Sequence, residues 1–258
     1  MMLLQNNEYK TAIKNFKNID HSIPIIYSVI EKNNGGKVFV DNVKNPENIF
    51  ILPDGGFIYY DTLNSSEDFM LEMKSFLFSE LIPAMTEKEM VLFAFDEQTR
   101  TCLDKIFSDE GVIRIQRFIF DFSQEKFFDL GVCALPEEFS LTMMKEEELR
   151  EYNVLKNTGY SHRQMGCRIM KGSTVISQCV SIFIGGGEAE IDIFTHEKYR
   201  NKGMATICAH SFIQECLKKG LKPSWSCWPF RTESIGLAEK LGFMNKKMVD
   251  AHFWAENM

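Results

Sequence analysis

Residues 189–206 read Ala189-Glu-Ile-Asp-Ile-Phe-Thr-His-Glu-Lys-Tyr-Arg200-Asn-Lys-Gly203-Met-Ala-Thr206, and a helical run leads from there to Leu241-Gly242-Phe243. The β-branched alternation of Ile191, Ile193 and Thr195 predicts a strand that delivers the chain into a turn carrying one glycine, from which a helix starts. The first turn of a helix has backbone N–H groups without intrahelical partners, so such a corner presents donors to an anion. Arg200 and Lys202 add positive charge, and Gly203 lets a bulky anion approach the main chain without meeting a Cβ. The alternative for the two cations is a solvated loop.

Working outward, Ala205, Ala209, Phe212, Ile213, Cys216 and Leu217 recur at three- and four-residue spacing, which predicts an amphipathic helix over 205–219 packed on a sheet. Strands are expected at 164–170, 174–184 and 188–195 before it, and a strand at 223–228, a helix at 232–241 and a strand at 246–254 after it. Gly185-Gly186-Gly187 joins two strands with no helix following, so it reads as a hairpin turn and not as a nucleotide loop. The first half follows a similar plan. Two helices (9–18, 24–33) precede strands at 37–40, 48–52 and 57–61, then a helix at 67–81, a strand at 90–95, a helix at 97–107 and a strand at 112–122.

This repeated order predicts a tandem of two α/β units, with a boundary near Phe128–Pro136: an N-terminal domain over 1–134 and a C-terminal domain over 135–258. At the corner after its third strand the first half has Thr62-Leu-Asn-Ser-Ser-Glu-Asp68, without a basic residue or a glycine. Two acids at a helix start repel an anion, so no phosphate site is expected there.

The order Arg200-x-x-Gly203-x-Ala205 between strand and helix, closed later by Leu-Ala-Glu-Lys-Leu-Gly-Phe, resembles the GCN5-related N-acetyltransferases (GNAT). The longer pattern Thr195-x-x-x-Tyr199-Arg200-x-Lys202-Gly203-x-Ala205 resembles their zwittermicin-resistance branch. The resemblance is close over about the last third of the chain and topological elsewhere. It implies a mixed, mostly antiparallel sheet flanked by helices, of the α/β (α+β) class, and acetyl-CoA as acyl-donor cosubstrate. It also implies that the main chain of Ile193, Phe194 and Thr195 pairs with the pantetheine arm where two strands splay apart. Arg200, Asn201, Lys202, Gly203, Met204, Ala205 and Thr206 would then hold the pyrophosphate, with Arg231 and Ser234 as further contacts.

Acetyl transfer to an amine needs a neutral nucleophile and a proton for the departing thiolate. Glu190 and Asp192, two apart on the central strand, share a face and are the candidate bases; the alternative is an ordinary solvated strand face. Many relatives carry Asn where this chain has Arg231, and Tyr where it has Ala238. The proton donor therefore falls to water or to Ser226, Cys227 or Tyr160.

Composition agrees with an enzyme of this kind. A chain of 258 residues with 45% hydrophobic content buries a full core, and a net charge of −7 disfavours nucleic acid as a partner. Seven cysteines, an odd number without a Cys-x-x-Cys pair, read as reduced thiols, and the five histidines lack metal-ligand spacing. With no signal peptide or membrane-length apolar run, a cytoplasmic protein is expected, acting on a small-molecule or peptide amine without a metal. The rival readings are a non-catalytic acyl-CoA sensor or partner-binding module, and an enzyme of another class that holds a nucleotide phosphate at the same turn.

Overall fold

The computed structural model describes residues 1–258 apart from 15, 17, 18, 56, 132, 133, 151–163 and 258. Two compact units emerge: Met1–Gln116 together with Val249–Met258, and Arg117–Met248. In chain order the first carries β1 (Met2–Leu3), α1 (Tyr9–Ile13), α2 (Ile23–Ile30), β2 (Gly36–Val40), β3 (Asn48–Pro53), β4 (Ile58–Thr62), α3 (Glu67–Phe76), α4 (Ile82–Ala84), β5 (Glu89–Ala94) and α5 (Glu97–Ile106). Strand β6 (Ile113–Phe122) then leads into α6 (Gln124–Phe128), β7 (Ser140–Met143), α7 (Glu146–Arg150), β8 (Gly166–Lys171), β9 (Thr174–Gly185) and β10 (Glu188–Thr195). After these come α8 (Met204–Lys218), β11 (Lys222–Ser224), β12 (Ser226–Cys227), α9 (Thr232–Lys240) and β13 (Phe243–Ala255).

In the first unit β1 to β4 are antiparallel neighbours, and β4 pairs parallel with β5 through Ile58↔Leu92, Tyr59↔Phe93 and Tyr60↔Ala94. Residues 251–255 of β13 extend this sheet along β5, from Ala251↔Phe93 to Ala255↔Glu89. Its core gathers Phe50, Tyr60, Met73, Leu77, Leu92 and Phe107. In the second unit a five-stranded sheet runs β11-β10-β9-β8-β7, antiparallel except for β10 and β11. This is the mixed, mostly antiparallel α/β architecture expected from the sequence. Each unit repeats the order of three antiparallel strands, helix, parallel strand and helix.

The division falls elsewhere than the expected boundary at 134/135, because β6 and β13 each divide between the units, at 116/117 and 248/249. Composition marked the loop after the strand, whereas pairing cuts through the strand itself. The sequence pattern also predicts a helix near 146–156, of which Glu146–Arg150 is described, and Tyr160 lies outside the described residues.

Helix α8 is the element that positions the site. It buries Met204, Cys208, Ala209, Phe212, Ile213 and Cys216, a single stripe, each large apolar side chain contributing about 1.5–3 kcal/mol. Gly220 in a left-handed conformation and the bonds from Gly220 N to Leu217 O and Leu221 N to Cys216 O end it. At the far end of the unit Gly242 has φ +88°, and a Cβ there would lie 2.9 Å from both Phe127 N and Ser123 O.

Gly242→Ala should therefore destabilise the protein by about 1–3 kcal/mol from the positive φ alone, with the backbone clash added. A urea midpoint equal to wild type would show that the corner relaxes freely. In the first unit, burial, together with the nearby Asp96, raises the Asp61 carboxyl from 3.8 to about 6, opposed by its bond from the Thr62 N–H. The folded chain then holds this proton to higher pH than the unfolded chain. The contribution is full below pH 3.8 and is lost as pH rises through about 6. Asp61→Asn should flatten that fall and raise stability at pH 7 by on the order of 2 kcal/mol, read from denaturation curves across pH 4 to 7.

Candidate active site

The site begins where two parallel strands part. Strands β10 and β11 pair through Glu188↔Lys222, Ala189↔Pro223 and Glu190↔Ser224, and no further. Trp225 intervenes, and β12 turns to a different neighbour, Ser226 against Ile119 and Cys227 against Phe118 of β6. The sequence predicts one strand over 223–228; the structure breaks it because buried Trp225 is anchored sideways. Its indole N–H donates to Ser234 Oγ at 3.1 Å and its ring lies 5.3 Å from Phe243. Beyond Glu190, the edge of β10 facing away from β9 has no strand partner among the described residues.

A short turn, Glu197–Tyr199, then carries the chain to α8. Asn201 at φ 60° and Gly203 at φ 79° are both left-handed, and together they aim the helix start back toward that open edge. No side chain caps α8 and its first turn holds no acid. The N–H groups of Met204, Ala205 and Thr206 are thus left without an intrahelical bond, the first closing contact being Ile207 N to Gly203 O at 3.0 Å. A Cβ on Gly203 would meet nothing within 4 Å, so space remains over this main chain.

A cavity of about 750 Å³ fills the opening, within the size range of small-molecule sites. Of the residues expected from the sequence, Asp192 to Thr195, Arg200, Asn201, Gly203 to Thr206, Arg231 and Ser234 line it. Lys202 does not; its ammonium lies 5.3 Å from the Tyr199 ring centroid. Arg200 Nε donates to Thr195 O at 3.3 Å.

Ala189, Ile191 and Ile193 pack on the core, so Glu190 and Asp192 point to the opposite face of β10. Their surroundings differ. Asp192 lines the cavity, whereas Glu190 is only 3% exposed and accepts from Ser226 Oγ at 2.5 Å. Burial pushes the Glu190 carboxyl up, while Arg117 and the hydroxyls of Ser226 and Ser224 draw it back. Ser226 Oγ in turn accepts from Arg117 Nε at 3.1 Å and Nη2 at 2.8 Å, and the guanidinium lies 4.7 Å from the Trp228 ring centroid.

The Ser226 hydroxyl hydrogen is thus directed to Glu190, away from the cavity, which removes it from the candidate proton donors. Cys227 is buried, and burial raises its thiol above the usual range. Sequence reasoning missed Arg117, which lines the cavity from β6. The available signal was a cation inside the apolar run Ile115-Gln-Arg-Phe-Ile-Phe120, a position that demands a buried partner.

The corresponding corner of the first unit is built differently. Ser66 Oγ accepts from Phe69 N at 3.3 Å and caps α3, whose first turn carries Glu67 and Asp68. Among the described residues no cluster of His, Cys, Asp and Glu could hold a metal ion, and no helix is long and apolar enough to cross a membrane.

Comparison with known proteins agrees with this geometry. An uncharacterized N-acetyltransferase of Bacillus subtilis (strain 168), YdfB, is 27% identical over 229 residues, spanning 84% of this chain and 85% of that protein. The crystal structure of a GCN5-related N-acetyltransferase-like protein from Streptococcus suis 89/1591 is similar in fold, with a TM-score of 0.69 at 22% identity over 97% of this chain and 100% of the other. A tandem GNAT protein from the clavulanic acid biosynthesis pathway, solved without acetyl-CoA, shares the fold at a TM-score of 0.55 and 12% identity over 97% of each chain. A family model described as GNAT acetyltransferase matches residues 14–251, from just after α1 through most of β13, and with that span the chain belongs to the GNAT acetyltransferases.

Proposed function

We propose that this chain moves the acetyl group of acetyl-CoA to a primary amine of a small molecule or peptide, by direct transfer within a ternary complex. The observation that carries the reading is the uncapped start of α8, with left-handed Gly203 and open space above it, beside an unpaired strand edge. These features fit acetyl-CoA: Arg200 to Thr206 offer donors and charge to its phosphates, the β10 edge at Ile193 to Thr195 offers main-chain groups to its arm, and Arg231 and Ser234 flank the same cavity. When bound, acetyl-CoA supplies an activated thioester carbonyl. The pattern from Thr195 to Ala205 supports placing the chain near the zwittermicin-resistance branch.

The chain's own part is to orient the acceptor and remove its proton. Asp192 lines the cavity while Glu190 is sealed behind Ser226, so the geometry favours Asp192 as the group that takes the ammonium proton. The second unit would carry the single cofactor site, because the capped, acidic start of α3 in the first opposes a phosphate. A non-catalytic acyl-CoA sensor is the second reading, favoured by fully buried Ala238 where many relatives have a Tyr. Turnover with an amine panel separates the two.

Acetyl-CoA at 100 times its dissociation constant should raise stability by about 2.7 kcal/mol, seen as a higher melting temperature. Titration calorimetry should give one site per chain; two would put a site in the first unit. Gly203→Asp should abolish the shift, since it sets a carboxylate where the phosphates lie, at a folding cost of about 1–3 kcal/mol from its positive φ. Undiminished affinity in that variant would move the phosphate site away from this turn.

Asp192→Asn should lower turnover about 100-fold near neutral pH while acetyl-CoA binding survives, and raising the pH should restore part of it by neutralising the acceptor amine directly. If Glu190→Gln shows that pH-dependent loss and Asp192→Asn does not, the proton leaves through Ser226 to Glu190. Wild-type turnover in both variants would assign deprotonation to solvent.

A further inference from the structure

The chain Glu190–Ser226–Arg117 is an ordered polar construction on the wall of the cavity, and acetyl-CoA binding leaves it unexplained. Ser226 has its hydrogen committed to Glu190 Oε1 at 2.5 Å and its oxygen accepting from Arg117 Nε at 3.1 Å and Nη2 at 2.8 Å. Its bonding is therefore directional, and it transmits the position of a carboxylate that is 3% exposed to a guanidinium at the cavity surface. The Trp228 ring, with its centroid 4.7 Å from the guanidinium carbon, packs against that group. An arginine held in one geometry loses rotamer entropy, and a carboxylate is costly to bury when apolar side chains can fill the same volume.

Distance separates this construction from the phosphate end. Glu190 precedes Thr195 by five residues of β10, or about 16 Å at ~3.3 Å per residue. Phosphates at the start of α8 have their own cation in Arg200, and the Arg117 anchor lies well up the strand from them. Asp192 is much nearer. It follows Glu190 by two residues on the same face, about 7 Å along the strand, so one compact ligand can meet a carboxylate and a guanidinium of opposite charge.

We propose that Arg117 is the acceptor-recognition residue of this site, that it takes the carboxylate of an acceptor bearing both an amine and a carboxylate, and that Glu190 is the positioning residue that holds it through Ser226. The inference rests on the acetyl transfer argued above and narrows its substrate class to amino-acid-like zwitterions. The amine faces Asp192 and the carboxylate faces Arg117, whose planar fork matches it. Trp228 supplies an apolar wall beside them.

The test uses the full-length protein, acetyl-CoA and matched pairs of L-amino acids and their carboxamides as acceptors. Wild type should acetylate the carboxylate member at least about tenfold better in kcat/KM, the scale of a charged hydrogen-bonded contact. Arg117→Gln should bring that ratio near one, mainly through a higher KM for the carboxylate member, and Arg117→Lys should keep part of it. Glu190→Leu should lower the ratio, and Glu190→Gln, which still offers Ser226 an acceptor, should lower it less. The acetyl-CoA melting shift, measured on every variant, is the control for the cofactor site.

A wild-type ratio near one, or no acetylated carboxylate-bearing amine despite a normal melting shift, overturns this proposal and leaves cofactor binding standing. An unchanged ratio in Arg117→Gln overturns it too. Loss of the melting shift in Arg117→Gln would reassign Arg117 to the cofactor, and absence of the shift in wild type would remove the acetyl-CoA reading on which the proposal stands.

Discussion

A strand edge left unpaired inside a protein is costly, because its main-chain groups must find partners or stay wet. Beyond Glu190 the outer edge of β10 is such an edge, and the neighbouring features answer to it. Trp225 holds β12 away by its bond to Ser234, the left-handed pair Asn201 and Gly203 returns the chain toward the gap, and α8 starts there without a cap. A cavity on which an edge without a strand partner and an uncapped helix start converge is stabilised by whatever ligand pairs with both.

The two units use one element order to opposite ends. In the first, the helix after β4 is capped by its own serine, which takes the Phe69 N–H, and carries two acids in its first turn, where the second unit has neither. The difference amounts to a few side chains. Ser66, Glu67 and Asp68 stand where the second unit has a glycine followed by Met204 and Ala205, so the same backbone scheme serves packing in one place and chemistry in the other.

Much of this was legible because it is local. The alternation through Ile191, Ile193 and Thr195, the glycine at 203 and the apolar stripe of α8 each express a preference that neighbouring residues set among themselves, and most of the expected strands and helices stand within a few residues of their bounds, while the short β1, α6 and β7 were not expected. Features decided by distant partners were not legible. The break at Trp225 depends on Ser234 and Phe243, and Arg117 joins the cavity only because β6 pairs with β12. The unequal fates of Glu190 and Asp192, two apart on one face of one strand, follow from a serine and an arginine far away in the chain. Composition likewise set the domain boundary in a loop, since nothing local in Ile113–Phe122 or Phe243–Ala255 reveals that each strand divides between two units.

That sharing has a consequence for biosynthesis. Residues 251–255 pair with β5, so the amino-terminal unit lacks a sheet neighbour until nearly all of the chain described here has been made. During translation the partly built unit exposes the open side of β5, the kind of edge that recruits foreign strands. Completion of the first unit consequently waits on residues 251–255, long after its other strands have been made.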